Sequence, residues 1–135
     1  MNKATKWFYF AKRHKILGRL VIKLMRVFFS CDIPKGLTIG ENCVFEHNAL
    51  GVVISREVIV GDNCRIYQGV TIGAGAGGYP KIGNNVTIFP NSTIAGGIVI
   101  GDNSVIGANS FVNKDVPENT VMGGVPARIL KEKGK

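Results

Sequence analysis

The sequence predicts an all-β solenoid of about four coils that follows an amphipathic N-terminal helix. Through most of the chain an aliphatic residue recurs every six positions. The short segments between these residues, such as GDNC, GNNV, GDNS and GANS, are rich in turn-forming residues. The first 30 residues lack this beat and instead carry basic residues at helical spacing. We therefore divide the chain into a basic amphipathic helical segment (1–30), a repeat domain (31–123) and a C-terminal tail (124–135).

The N-terminal segment has two faces that differ in chemistry. Basic residues recur at spacings of three and four, as one face of a helix requires: Lys12, Lys15, Arg19, Lys23 and Arg26. Apolar residues follow a second face: Leu17, Leu20, Val21, Leu24 and Phe28. Two roles remain open. The helix caps the end of the solenoid or packs in an oligomer, or it contacts an anionic membrane surface peripherally.

The six-residue beat indicates triangular coils of three short strands each. A strand too short to bury its own face gains a core by stacking on its next copy. The count assigns three inward-facing residues to each coil: Ile39, Phe45 and Ile54; Val60, Ile66 and Ile72; Ile82, Ile88 and Ile94; and Ile100, Ile106 and Val112. Corner residues of the types Gly, Asn and Asp tolerate positive φ or bond their own backbone.

Two insertions interrupt the beat. Three extra residues between Phe45 and Ile54 accompany His47, and four between Ile72 and Ile82 form the glycine-rich loop GAGAGGYPK. Loops inserted into a rigid scaffold often carry binding residues, although neutral insertions at corners are the alternative. Because His47 is the only histidine of the repeat domain, we favour function.

Composition excludes several classes of protein. The first 31 residues hold eight Lys and Arg and no acidic residue, whereas the remainder holds nine of each sign, so no basic groove for nucleic acid is expected. Three cysteines without ligand spacing predict neither a disulfide framework nor a metal site, and are typical of a cytoplasmic protein. Cys43 and Cys64 occupy equivalent positions of consecutive coils and are expected to stack in the core.

Four stretches of the chain resemble a known family: CDIPKGLTIG, EHNALGVVIS, YPKIGNNVTI and GGVPARIL. They are similar to hexapeptide-repeat acyltransferases, and within that superfamily to serine acetyltransferase and its short capsule-type relatives. The resemblance implies a left-handed parallel β-helix, acetyl-CoA as co-substrate with no metal, and a homotrimer whose active sites lie between subunits.

The resemblance also implies the site residues. His47 matches the family's general base, and Asp32, fifteen residues earlier, matches the carboxylate that pairs with it. Glu46 stands where an aspartate of the acceptor site normally precedes the histidine. Coenzyme A contacts are expected in the glycine-rich loop, along the corners and near the C-terminus: Gly73, Gly75, Gly77, Gly78, Pro90, Gly107, Ala108, Arg128 and Lys131.

One departure from the family bears on the acceptor. Serine acetyltransferases end this loop in Arg-His, which engages the serine carboxylate, whereas Gly78 and Tyr79 stand here. The sequence therefore predicts an O-acetyltransferase that acts on a sugar hydroxyl in polysaccharide biosynthesis, with Tyr79 contacting the acceptor. Serine O-acetylation and a non-catalytic solenoid scaffold are the alternatives. The expected location is the cytoplasm, with the inner face of the membrane as a variant of it.

Overall fold

The computed structural model describes residues 1–134 and begins with two helices, α1 (Lys3–Arg13) and α2 (Ile16–Phe29). Short strands follow. The twelve strands of the repeats are β1 (Thr38–Ile39), β2 (Val44–Phe45), β3 (Val53–Ile54), β4 (Ile59–Val60), β5 (Arg65–Ile66), β6 (Thr71–Gly73), β7 (Lys81–Ile82), β8 (Thr87–Ile88), β9 (Thr93–Ala95), β10 (Val99–Ile100), β11 (Val105–Ile106) and β12 (Phe111–Val112). Two longer strands close the fold, β13 (Thr120–Gly124) and β14 (Ala127–Glu132).

The strands build three parallel faces, which confirms four triangular coils of a left-handed β-helix. The first face contains β1, β4, β7 and β10; the second contains β2, β5, β8, β11 and β13; the third contains β3, β6, β9 and β12. We name the corners by the faces they join. The first corner leads from the first face to the second, the second corner from the second to the third, and the third corner back to the first face.

The predicted inward residues form the core. In the second face Phe45, Ile66, Ile88 and Ile106 stack in register, and all four are buried. Of the twelve residues assigned to the interior, eleven are buried, and Ile39 in the first coil is partly buried. The six-residue count therefore predicted the register of the solenoid correctly.

Asparagine and aspartate define the first corner. Asn42, Asn63, Asn85 and Asn103 adopt positive φ in successive coils. The side chain that precedes Asn63, Asn85 or Asn103 accepts a hydrogen bond from a backbone N–H of the preceding coil. The donor N–H and acceptor Oδ1 pairs are Glu41 and Asp62, Asp62 and Asn84, and Asn84 and Asp102, at 2.8–2.9 Å. These side chains join the first corners of successive coils by hydrogen bonds. The polar turn residues therefore stabilise the stacking of the coils as well as the turns themselves.

The stacking of two cysteines is confirmed. Cys43 and Cys64 are both buried, and the backbone N–H of Cys64 donates to Sγ of Cys43 at 3.4 Å. Each thiol donates in turn to a carbonyl of the next coil, at 3.1 Å in both cases.

The expectation of a single N-terminal helix is wrong, because the helix is interrupted at His14 and Lys15. Lys12 therefore belongs to α1, and the basic stripe continues only on α2. Helix α1 caps the first coil: Phe8 is fully buried and packs edge-on against Phe45 with ring centroids 5.4 Å apart. None of the helices described in residues 1–134 is long and apolar enough to span a bilayer.

The segment interpreted as a C-terminal tail contains a strand. β14 pairs antiparallel with β13 and extends the second face beyond the fourth coil. Lys135, the last residue of that segment, lies outside the described residues.

Candidate active site

The insertion after β2 forms a short 3₁₀ turn from Glu46 to Ala49 at the second corner. His47, Asn48 and Ala49 all adopt left-handed backbone conformations, with φ of 52°, 55° and 58°. This region disfavours residues with a Cβ, so three in succession require support from the surrounding structure. The turn leaves the His47 side chain exposed, while Ala49 is buried.

Helix α1 supplies that support. The backbone N–H of Ala4 donates to Oδ1 of Asn48 at 3.2 Å. The side chain of Asn2 donates to the carbonyl of Phe45 at 2.5 Å, and the hydroxyl of Thr5 accepts the Phe45 N–H at 3.0 Å. The N-terminal segment therefore fixes the backbone on both sides of His47.

The second face places aromatic and charged side chains beside His47. The rings of His47 and Tyr67 have centroids 6.3 Å apart, and Tyr67 stacks on Phe89 at 5.0 Å. Arg65 pairs with Glu46 through Nη1 and Oε1 at 3.6 Å. The imidazole thus adjoins an aromatic surface and a pair of opposite charges.

Asp32 lies on the third face, one coil before the coil that carries His47, and forms a parallel bridge with Val53 of β3. Its backbone pairs with the strand that follows the His47 turn, donating to Val52 at 2.8 Å and accepting from Ile54 at 3.0 Å. Its carboxylate binds Nη2 of Arg26 at 3.2 Å, and within residues 1–134 no hydrogen bond joins it to His47. Both partners of this ion pair are well exposed, so it is weak and easily exchanged. The pairing of Asp32 with His47 stays a prediction.

Several predicted coenzyme contacts lie along the second corner, as His47 does. They are Pro90 in the third coil, Gly107 and Ala108 in the fourth, and Arg128 opposite Gly123 beyond it. Backbone hydrogen bonds stack these coils, for example from Gly107 to Met122 at 2.8 Å. Lys131 lies farther along β14, opposite Val121.

The glycine-rich loop lies at the third corner. Gly75 and Gly78 exchange backbone hydrogen bonds of 3.0 and 3.2 Å and close a tight hairpin, in which Gly77 and Gly78 have positive φ. A Cβ on Gly75 would lie 2.7 Å from the backbone nitrogen of Gly96, so only glycine fits this approach. Gly73 ends β6 at the start of the loop. Tyr79 directly follows Gly78 and is exposed.

The two insertions therefore lie at different corners of one chain. Glu46 and His47 belong to the second corner, whereas Gly73, Gly78 and Tyr79 belong to the third, with the third face between them. A single chain does not bring the two predicted acceptor contacts, Glu46 and Tyr79, together.

Sequence reasoning missed three neighbours of the site: Arg26, Arg65 and Tyr67. The six-residue periodicity could have indicated two of them. Arg65 pairs with Val44 in the neighbouring strand, and Tyr67 comes directly after Ile66, just as Glu46 comes directly after Phe45. No spacing rule indicated Arg26, whose contact with Asp32 depends on the turn after α2.

Comparison with known proteins agrees with this architecture. The family model described as bacterial transferase hexapeptide (six repeats) matches residues 79–114, and the model described as hexapeptide repeat of succinyl-transferase matches residues 36–74. A serine acetyltransferase of Staphylococcus epidermidis is 40% identical over 131 residues, which cover 93% of this chain and 61% of the relative. The chain therefore contains hexapeptide repeats and resembles the serine acetyltransferases.

The chain is also similar to serine acetyltransferases of known structure. The enzyme of Neisseria gonorrhoeae in complex with serine is 33% identical with a TM-score of 0.82, covering 95% of this chain and 55% of that one. The enzyme of Brucella abortus in complex with coenzyme A is 32% identical with a TM-score of 0.84, covering 97% and 56%. The hexapeptide-repeat chain thus spans only about three fifths of the curated relative's length.

Proposed function

We propose that the protein transfers an acetyl group from acetyl-CoA to a hydroxyl group of a small acceptor. The observation that carries the proposal is the His47 turn: a strained, exposed histidine that α1 holds rigidly beside the Glu46–Arg65 pair. Structures of similar enzymes with coenzyme A and with serine support the choice of substrates.

His47 acts as the general base. Its imidazole takes the proton of the acceptor hydroxyl while that oxygen attacks the thioester carbonyl carbon. The carbon–sulfur bond then breaks, and the imidazolium returns the proton to the departing thiolate, which leaves an O-acetyl ester and free coenzyme A. Asp32 orients the imidazole after exchanging its contact with Arg26, and backbone N–H groups of the glycine-rich loop stabilise the oxyanion.

Serine is the acceptor that the relatives support, in preference to the sugar hydroxyl that the sequence favours. The argument for a sugar was the lack of a cation at Gly78 and Tyr79. Arg65 removes that objection, because the Glu46–Arg65 pair offers a carboxylate for the ammonium group of serine and a guanidinium for its carboxylate.

The enzyme works as a homotrimer. In one chain His47 and the glycine-rich loop occupy different corners, so the second corner of one subunit must meet the third corner of its neighbour to complete a site. Coenzyme A then extends along the second corner past Pro90, Gly107 and Ala108 toward Arg128. We place the trimer in the cytoplasm, where the three buried, unpaired thiols of each subunit remain reduced.

Thiol release from acetyl-CoA tests the acceptor directly. Serine, nucleotide sugars and oligosaccharides are supplied at equal concentration to the wild type and to Arg65→Gln. We expect serine to be the preferred acceptor, and we expect Arg65→Gln to raise the KM for serine at least tenfold while leaving the KM for acetyl-CoA unchanged. Preferred acetylation of a sugar would restore the acceptor predicted from Gly78 and Tyr79.

A further inference from the structure

The outer face of α2 is apolar and exposed, and its contact with the rest of the chain includes the edge-on approach of Phe28 to Trp7, with ring centroids 6.2 Å apart. Six large apolar side chains follow one side of this helix, and all are exposed: Ile16, Leu17, Leu20, Leu24, Val27 and Phe28. Their exposure reaches 86% at Ile16, 74% at Val27 and 66% at Phe28. Gly18 and Met25 on the opposite side are buried, so the packing of α2 on the rest of the chain depends mainly on that side.

An apolar groove continues the outer face between the two helices. It has a volume of about 420 Å³, and its walls are Trp7, Phe10, Val21 and Leu24, with Lys6 at the rim. Leu24 belongs to both the groove and the outer face, so the two form one apolar surface edged by aromatic rings and a cation.

Positive charge flanks this surface. Arg19 and Lys23 follow the side of α2 next to the outer face. Arg19 also joins Lys35 and Arg56 around a cleft of about 360 Å³. The ion pairs described within residues 1–134 are Arg26–Asp32 and Arg65–Glu46, so none of these three cations is matched by a carboxylate there.

We propose that the outer face of α2 docks on an anionic lipid bilayer, with the Arg19–Lys35–Arg56 cleft binding a lipid phosphate. A helix with one apolar face and an adjacent basic face lies in the membrane interface, where its apolar side chains enter the acyl boundary. Eight basic and no acidic residues in the first 31 give this end of the molecule the charge that anionic headgroups attract. A second copy of this chain is a poorer occupant, because a symmetric contact through the outer face would bring two basic stripes together.

Vesicle sedimentation tests the proposal without reference to acetyl transfer. The full chain is mixed with vesicles of phosphatidylcholine alone or with about one third phosphatidylglycerol. We expect at least tenfold tighter partitioning onto the anionic vesicles, weakened by added salt. The double variant Leu20→Asp/Val27→Asp is expected to lose at least tenfold, whereas Val99→Asp, a control on the solenoid with 50% exposure against 52% at Leu20, keeps wild-type binding.

A second variant tests the phosphate cleft at two exposed residues that form no ion pair within residues 1–134. Arg19→Gln/Arg56→Gln is expected to lower partitioning about 25-fold, or about fivefold for each charge removed. Circular dichroism confirms that each variant keeps its fold. Equal binding to neutral vesicles, absence of binding to anionic ones, or unchanged binding by both double variants would overturn the proposal. It would also be overturned if the wild type self-associated through Leu20 and Val27 and ignored both kinds of vesicle.

Discussion

At the scale of single residues, the backbone of His47 shows how the sequence signal and the structure complement each other. The interrupted beat and the isolated histidine indicated a functional residue, but they did not indicate that three successive residues would adopt left-handed conformations. That geometry needs Asn48 to be held by the N-terminus of α1, a contact across 44 positions of the chain that no local pattern encodes.

Replacement of His47 by alanine tests its role as the base. We expect His47→Ala to lower kcat by about 10²–10⁴-fold and to leave coenzyme A affinity in calorimetry nearly unchanged, because the ring moves a proton without holding the coenzyme. His14→Ala is the matched control, since His14 is exposed between the two helices, where its ring stacks on Phe10 and its Nδ1 lies 2.9 Å from the Phe10 carbonyl. A His47→Ala enzyme with more than about a tenth of wild-type activity would place the base elsewhere.

Cys31 makes stability depend on pH in the alkaline range. Burial raises the pKa of this thiol from its ordinary value of 9.0 to about 11. Between these values the unfolded chain releases the proton while the folded chain keeps it, so the free energy of unfolding falls as pH rises, by about 2 kcal/mol up to pH 11. Urea unfolding measures the fall in the free energy of unfolding between pH 8 and pH 11. This fall should be smaller by that amount in Cys31→Ala than in the wild type, and an equal fall in both proteins would contradict an origin in Cys31.

At the scale of elements, the strands were predictable and the helices were only partly so. Each strand from β1 to β12 is two or three residues long, and its position follows from the inward aliphatic residue alone. The N-terminal basic residues suggested one helix because their spacing continues across the break at His14. The residues that fix α1 are apolar and buried at helical spacing, namely Ala4, Phe8 and Ala11, and that pattern marks a separate helix packed on the first coil.

A core substitution tests the stacking of strands. Ile88 is fully buried in β8 and lies in register between Ile66 and Ile106. Ile88→Ala should lower the free energy of unfolding by about 2–5 kcal/mol, because neighbouring coils cannot collapse into the cavity. Val99→Ala, on the exposed side of the neighbouring face, should change it by less than about 0.5 kcal/mol. Similar losses in the two variants, measured by urea unfolding, would show that the beat does not define the core.

At the scale of the whole molecule, the two insertions lie at different corners of one chain. The six-residue count predicted which face each strand joins, and therefore also which corner carries each insertion. The partners of the charged residues could not be predicted in the same way: Asp32 binds Arg26 and Glu46 binds Arg65 through side chains whose directions depend on tertiary packing. Because His47 and the glycine-rich loop are separated, the proposed function requires an assembly in which two subunits complete each site.

Subunit mixing tests this central claim most directly. One inactive partner is His47→Ala. The other lacks residues 74–77, a deletion that restores the uninterrupted six-residue spacing between Ile72 and Ile82 and so preserves the solenoid. If each site takes His47 from one subunit and the loop from its neighbour, co-refolding equal amounts of the two should restore acetyl transfer at about one quarter of the sites. Acetyl transfer that stays at the level of the separate variants, in mixed trimers confirmed by mass, would show that each chain carries a complete site.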